Sequence, residues 1–245
     1  MDKFYYFFRT SVGKNNFVNF GYIHIILLII AFLSSIAIIK MKKENRLFEV
    51  FVGVILLIQQ SVLYLWYIKG HYHVLKEGLP LFHCRIAIIA LVIGLIFKKD
   101  FMMKIGSYLG IFCATSALLF IKLDPFSFPH ITQISYFIGH IFLLLGSVYT
   151  VFVKKIGMNK YDFKKTLIVI NCYHILIFVL NNIIGSNYAY MKSSPIGIGN
   201  NLNPYLYGIV VMSIFNVILI IEYIIMNRNK YDALEENYEF EILNT

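Results

Sequence analysis

The stretch GYIHIILLIIAFLSSIAII, residues 21–39, decides the fold class of this chain. It contains no Asp, Glu, Lys or Arg, and a helix of this length is about 28 Å long at about 1.5 Å per residue. That length matches the hydrocarbon core of a bilayer, which is about 30 Å thick. We therefore predict that residues 21–39 cross a membrane as a helix.

Further apolar blocks of similar length follow the first one. The blocks are residues 21–39, 48–68, 81–97, 101–121, 131–153, 166–184 and 205–226. Of the 245 residues, 59% are hydrophobic and only 14% are charged, whereas about a quarter are charged in an average soluble domain. These features predict an all-α polytopic membrane protein with about seven transmembrane helices in one bundle. Residues 1–230 are expected to form this single domain, and residues 231–245 a short acidic cytoplasmic tail.

The basic residues indicate the orientation of the bundle. The formal net charge is +9, but the Lys and Arg side chains lie between the apolar blocks and form no patch suited to nucleic acid. With the N-terminus outside, fourteen of them fall in inner segments and seven in outer ones. The positive-inside rule then predicts the N-terminus outside and the C-terminus in the cytoplasm. The expected location is a cell membrane, with the bacterial plasma membrane favoured.

Polar side chains gather in the outer halves of the predicted spans. His83, Cys84 and Arg85 lie within about one turn of the outer end of the third block. Asn182 lies at the outer end of the sixth block, and Asn187 in the loop after it. Because polar groups at membrane depth are costly unless they pair or line a wet cavity, we expect a polar cavity that opens outward.

The fifth block adds a polar face to the same half of the membrane. His130, Gln133 and His140 follow a helical spacing of three and ten residues, so they are expected to share one face and to line one groove. His130 and His140 lie about 15 Å apart along that face, too far to bind one ion together. The pattern gives no reason to expect a metal or a nucleotide cofactor.

Cys84 is the candidate nucleophile. A cysteine near a helix N-terminus lies at the positive end of the helix dipole, and Arg85 and His83 add positive charge that favours the thiolate. Adjacent residues of a helix point about 100° apart, so His83 is poorly placed as a base and His140 or His130 is the better candidate. A purely structural cysteine is the alternative, because burial in lipid opposes ionisation.

Three short motifs resemble a known family. They are LPLFHCR at residues 79–85, FPH at residues 128–130 ahead of the helix that carries His140, and NYAY at residues 187–190. Over about residues 79–207, their order and spacing resemble the YwaF-type bacterial integral membrane proteins, which are related to the transmembrane protein 164 acyltransferase family. Bacterial members commonly carry a histidine two residues before the cysteine, where this chain has Phe82.

The resemblance implies a membrane acyltransferase that moves a fatty acyl chain between lipids, with Cys84 as acyl acceptor. The leading hypothesis has Cys84, His140 and His130 as catalytic candidates and a membrane phospholipid as substrate. Six residues are expected to contact the substrate: His83, Arg85, Gln133, Asn182, Asn187 and Tyr188. A substrate-binding or transport protein with an outward-facing polar cavity is the main alternative. A structural or assembly protein without a ligand is a third possibility, and the oligomeric state is left open.

Overall fold

A computed structural model describes the backbone of residues 3–243 and the side chains of residues 3–227. The helices are α1 (Lys3–Phe7), α2 (Tyr22–Ile39), α3 (Arg46–Lys69), α4 (His83–Phe97), α5 (Asp100–Leu119), α6 (Ile131–Val148), α7 (Lys160–Ile184) and α8 (Pro204–Leu243). Helix accounts for 72% of the structure, and the described residues form no strand. The all-α prediction is confirmed.

Six helices within the described residues are long and apolar enough to cross a membrane: α2, α3, α5, α6, α7 and α8. The six helices and the shorter apolar α4 coincide with the seven blocks of the sequence. The protein is therefore a multi-pass membrane protein. The helix α4 begins at His83 instead of residue 81, because the backbone of Phe82 is still extended and Phe82 is the N-cap residue.

Three other boundaries differ from the sequence blocks. The helix α7 begins at Lys160, six residues early, because the side chain of Asn159 accepts a hydrogen bond from the backbone N–H of Asp162 at 2.7 Å and caps the helix. A π-helical turn, Tyr149–Val153, follows α6. The helix α8 continues to Leu243, through most of the predicted tail. The side chains of that tail lie outside the described residues.

The helices α4 and α5 form the most closely packed pair. A Cβ placed on Gly94 would lie 2.6 Å from the backbone nitrogen of Met103, and one on Gly106 would lie 2.5 Å from that of Leu91. Small residues at such points allow two membrane helices to approach backbone to backbone. The helices α3 and α6 complete the centre of the bundle, and α2 packs on α6.

The loops α3–α4, α5–α6 and α7–α8 meet at one end of the bundle, which we call the cavity end. Tyr188 joins two of these loops, because its hydroxyl accepts from the N–H of Leu79 at 3.0 Å and donates to the carbonyl of Leu75 at 3.1 Å. The opposite end is tied by an ion-pair network in which Lys154 binds Glu44 and Glu49, each at 2.7 Å. The two ends are thus held by different chemistry.

Candidate active site

A cavity of about 940 Å³ lies at the cavity end of the bundle. Its walls come from α3, α4, α5, α6 and α8 and from the three loops of that end. Charged side chains near the loops include Lys76, Glu77, Arg85, Lys122 and Asp124. Further along α8 the wall is apolar, as with Val211, Ile214 and Phe215. The cavity therefore has the amphiphilic lining that suits a lipid with a polar head and an apolar chain.

Cys84 faces this cavity from the first turn of α4. The backbone of the N-cap residue Phe82 is extended, so that Cys84 lies in the first turn of α4, where the backbone N–H groups have no partner within the helix. Its sulfur lies 3.7 Å from the carbonyl oxygen of Cys113 on α5. The helix dipole at this position favours a negative charge on sulfur.

His140 meets Cys84 from across the cavity. Both side chains line the cavity, and they lie close enough for their charges to interact. The other ring nitrogen, Nδ1, lies 2.7 Å from the carbonyl oxygen of Tyr136. A carbonyl oxygen only accepts, so Nδ1 carries the proton of the neutral ring and Nε2 is left unprotonated, able to act as a base.

Tyr136 positions His140 one turn along α6. Its hydroxyl donates to the carbonyl oxygen of Ala117 at 2.6 Å, which fixes the ring between α6 and α5. The aromatic ring and the imidazole then pack with their centroids 4.3 Å apart. The arrangement resembles the thiol–imidazole–acceptor order of cysteine nucleophiles in general, with a backbone carbonyl as the third group.

A model of the TMEM164 family matches residues 12–231 of this sequence. The chain belongs to the TMEM164 family. The match covers Cys84, His140 and every helix from α2 to α7, so it includes the whole wall of the cavity that carries these two residues. A search of the curated proteins and a search of the solved structures each find no match. The family resemblance seen in the sequence is thus confirmed, whereas the YwaF-type branch and a bacterial membrane stay predictions.

Arg85 supplies a cation to the cavity of this TMEM164-family protein. One terminal nitrogen donates to the carbonyls of Glu77 and Leu79 at 2.6 and 2.9 Å, and the other donates to the hydroxyl of Tyr67 at 3.2 Å. The guanidinium also lies over the rings of Tyr67 and Phe82, with centroid distances of 5.2 and 5.1 Å. It is therefore held rigidly at the loop end of the cavity, which we call the rim, and is not a freely moving surface cation.

The two carboxyl groups at the rim ionise less readily than exposed carboxyl groups do. Burial raises the pKa of Glu77, and the charge of Asp124 raises it further. Burial also raises the pKa of Asp124, against the opposing effect of Arg85. Both shifts favour the neutral carboxyl, so the rim has a more positive character than a count of its residues implies.

His83 and His174 form a pair beside Cys84. Their Nε2 atoms lie 2.7 Å apart, so one ring donates and the other accepts. The ring of His83 also stacks on Phe215 at a centroid distance of 4.0 Å. The pair thereby joins α4, α7 and α8 along one side of the cavity. His83, predicted as a substrate contact, lines the cavity but has one ring nitrogen committed to His174.

His130 does not share a groove with His140, which corrects the expectation from helical spacing. His130 is the N-cap residue of α6 and lies before the first helical residue, so the periodicity of the helix does not extend to it. Its Nε2 donates to the carbonyl oxygen of Arg9 at 2.9 Å, because a carbonyl oxygen only accepts. Its ring stacks on Phe126, and burial lowers the pKa of His130 to about 4.

The other predicted substrate contacts separate into two groups. Asn187 lines the cavity, but its side chain bonds the backbone of residues 192 and 193 and shapes the loop. The remaining three do not line the cavity, contrary to expectation. The amide of Gln133 bonds the carbonyl of Phe126, Asn182 is exposed and bonds its own helix, and Tyr188 is buried in the loop contact already described. Each of these side chains has a hydrogen-bond partner within the protein, so it stabilises the fold and does not line the cavity.

Two cavity residues escaped the sequence analysis as site candidates. Cys113 lies opposite Cys84, but from sequence it is one more small apolar residue of a span. Tyr190 lines the cavity and packs against Phe82 at a centroid distance of 5.4 Å, and burial raises its pKa to about 12. The NYAY motif contained the signal for Tyr190. Within the described residues, no three His, Cys, Asp or Glu side chains group into a metal site.

Proposed function

We propose that this protein is a membrane acyltransferase that moves a fatty acyl chain from one lipid to another through Cys84. The observation that carries the proposal is that Cys84 and His140 line one cavity, with the Nδ1 proton of His140 held by Tyr136 so that Nε2 is free to act as a base. A thiol with a fixed neighbouring base in an amphiphilic cavity is suited to nucleophilic attack on an ester. Membership of the TMEM164 family supports the membrane setting.

The proposed acyl transfer proceeds in two steps. His140 accepts the thiol proton, and the sulfur attacks the carbonyl carbon of a lipid ester, forming a C–S bond. The C–O bond then breaks, and His140 returns the proton to the departing alkoxide of the lysolipid. In the second step the hydroxyl of an acceptor lipid gives its proton to His140 and attacks the thioester carbonyl. A new C–O bond forms, the C–S bond breaks, and the thiol is regenerated.

The substrate class follows from the lining of the cavity. The rim cations Arg85, Lys76 and Lys122 suit the phosphate of a phospholipid, because charge-assisted hydrogen bonds to phosphate are strong. The apolar wall that includes Ile214 and Phe215 suits the acyl chain. A phospholipid held in this way has its ester linkage between the two regions, at the level of Cys84.

The test is capture of the acyl-enzyme. The purified full-length protein in lipid nanodiscs is incubated with a phospholipid that carries an alkyne-tagged acyl chain, and the tag on the protein is measured before and after hydroxylamine. We expect a hydroxylamine-sensitive tag on wild type and on Cys172→Ala, and none on Cys84→Ala. Cys172 is the matched control because it is an exposed cysteine on α7.

Two results would count against acyl transfer. Equal tagging of wild type and Cys84→Ala would remove Cys84 as acceptor. If Cys84→Ala instead binds the tagged phospholipid as tightly as wild type, and neither protein becomes covalently tagged, the cavity belongs to a binding or transport protein. Circular dichroism and size-exclusion profiles of each variant show whether a loss of tagging reflects loss of the fold.

A further inference from the structure

The contact line between α4 and α5 brings two cysteines face to face. Gly94 meets Met103, and Leu91 meets Gly106, at distances that allow no side chain on either glycine. From the first contact to the second, α4 goes back three residues, from Gly94 to Leu91, while α5 goes forward three, from Met103 to Gly106. The two helices are therefore antiparallel and in constant register along this line.

The same register places Cys84 opposite Cys113. Seven residues separate Leu91 from Cys84, and seven separate Gly106 from Cys113, which is two turns along each helix. The contacts agree with this register, because the Cys84 sulfur lies 3.7 Å from the Cys113 carbonyl oxygen and both side chains line the same cavity. A disulfide requires the two Cα atoms to lie about 4.4–6.8 Å apart, a separation that only closely packed helices such as this pair allow between facing residues.

We propose that Cys84 and Cys113 form a reversible disulfide when the cavity admits a hydroperoxide. Both side chains line the cavity, so hydrogen peroxide or a lipid hydroperoxide has access to them without disruption of the helix packing. Cys172 has no part in this pair, because it lies exposed on α7. Cys113 is thus the resolving thiol for Cys84.

The oxidation proceeds in two steps. The Cys84 thiolate attacks one peroxide oxygen, so that an S–O bond forms and the O–O bond breaks. Sulfur loses two electrons, the peroxide is reduced to an alcohol, or to water if it is hydrogen peroxide, and Cys84 becomes a sulfenic acid. The Cys113 thiol then attacks the Cys84 sulfur, an S–S bond forms, and the S–O bond breaks. The hydroxide that leaves takes the thiol proton and departs as water. A dithiol reductant reverses the cross-link by thiol–disulfide exchange.

The disulfide removes the nucleophile of the proposed acyl transfer. Formation of the cross-link depends only on the two facing thiols, whereas its effect on lipid chemistry rests on the proposed function. A sulfenic acid without a resolving thiol oxidises further to sulfinic acid, which dithiols do not reduce. Cys113 therefore protects Cys84 from permanent loss.

The experiment begins with wild-type protein in nanodiscs, treated with hydrogen peroxide at increasing concentration. After quenching, the free thiols are counted by maleimide labelling in denaturant, and a non-reducing digest is analysed by mass spectrometry. We expect the count to fall from three to one, a cross-linked peptide pair that contains Cys84 and Cys113, and full recovery with dithiothreitol. The acyl tag should fall at least tenfold on oxidation and return on reduction.

Variants separate a resolving thiol from simple oxidation. Cys113→Ser should lose the acyl tag at similar peroxide concentrations, but dithiothreitol should not restore it, and Cys84 should appear as sulfinic acid. Cys172→Ser should behave as wild type. The cross-link measurement on wild type needs no substitution, so it does not depend on how the variants fold.

The two proposals fail in different ways. Oxidised wild type that keeps both thiols, or that contains Cys84 sulfinic acid without the cross-linked peptide, would overturn the disulfide even if the acyl tag is normal. If the oxidised protein contains the cross-link but the reduced protein never accepts an acyl tag, the disulfide proposal is supported and the acyl-enzyme is excluded.

Discussion

At the scale of residues, the chemistry depends on which nitrogen of His140 is free. The carbonyl of Tyr136 takes the Nδ1 proton, so Nε2 is the unprotonated nitrogen. Burial in a membrane disfavours a lone thiolate, whereas the positive end of the α4 dipole and an imidazole lining the same cavity favour it. The pair is therefore a coherent unit and not two independent polar residues.

Replacement of His140 tests this unit. His140→Ala should slow formation of the acyl-enzyme by about 10²–10⁴-fold, the usual contribution of a general base. The rate of tagging by an alkyne-tagged phospholipid, followed over time, gives this ratio. His71→Asn, a change of an exposed loop histidine, is the control and should keep the wild-type rate. A rate within twofold of wild type for His140→Ala would exclude His140 as the base.

Glu77 gives a pH prediction at the same scale. Burial raises the pKa of Glu77, so the folded protein holds this proton more tightly than the unfolded chain does. The resulting stabilisation is present below the unfolded pKa, about 4.3, and is lost as pH rises through the folded pKa. Glu77→Gln lacks this loss. The melting temperature of Glu77→Gln, minus that of wild type, should therefore increase as pH rises from about 4 to about 8. A difference that stays constant over this range would contradict a raised pKa of Glu77.

At the scale of elements, the seam between α4 and α5 positions Cys84. The seam depends on glycines, because any side chain at Gly106 would meet the backbone of α4 at Leu91. Lipid tails are as apolar as the helices, so close packing of this kind is what holds two membrane helices in one register. The position of the thiol is thus a property of the helix pair.

A single methyl group at the seam should test this dependence. Gly106→Ala should destabilise the protein by about 1–3 kcal/mol, the cost of forcing extra volume into a packed interface. It should also lower the yield of the Cys84–Cys113 cross-link, because the helices must separate or slide. Thermal unfolding and the non-reducing digest measure the two effects. Thr115→Ala, at an exposed position of the same helix, should leave both unchanged.

At the scale of the whole molecule, the cavity is an interface between two parts of the bundle. The helices α3 to α6 provide Cys84, His140 and the polar rim, and α8 closes the other side with apolar side chains. Next to the thiol, His83 of α4 bonds His174 of α7 and stacks on Phe215 of α8. On the proposed function, we expect an acyl chain in the cavity to contact α8 at Val211, Ile214 and Phe215, so that α8 would set the chain preference.

Ile214→Trp should test the role of α8 as the wall of the chain site. Ile214 lines the cavity, and a larger side chain there would reduce the volume available to the lipid. We expect transfer of a long tagged chain to fall at least tenfold relative to a short one, as the ratio of kcat/KM values in competition. Ile220→Trp is the matched control, because Ile220 is exposed on α8 away from the cavity. An equal effect of Ile214→Trp on both chain lengths would argue against this role.

The sequence by itself determined the fold class, because the length and polarity of a span are local properties of about twenty residues. The seven apolar blocks all became helices, although α4 is short and begins only after the extended residue Phe82. Motif spacing also identified the TMEM164 family. Helix ends were less predictable where a cap lay outside the apolar block, as with Asn159 before α7.

Only the tertiary structure decided which polar residues share the cavity. Helical spacing grouped His130 with His140, but the cap position of His130 turned it to Arg9 and Phe126. Cys113 was unremarkable in sequence and became the partner of Cys84 through the glycine seam. Depth in a membrane follows from position along one helix, whereas neighbours across a cavity depend on how several helices rotate and approach. That rotation is set by close packing between helices, which no single segment of the sequence contains.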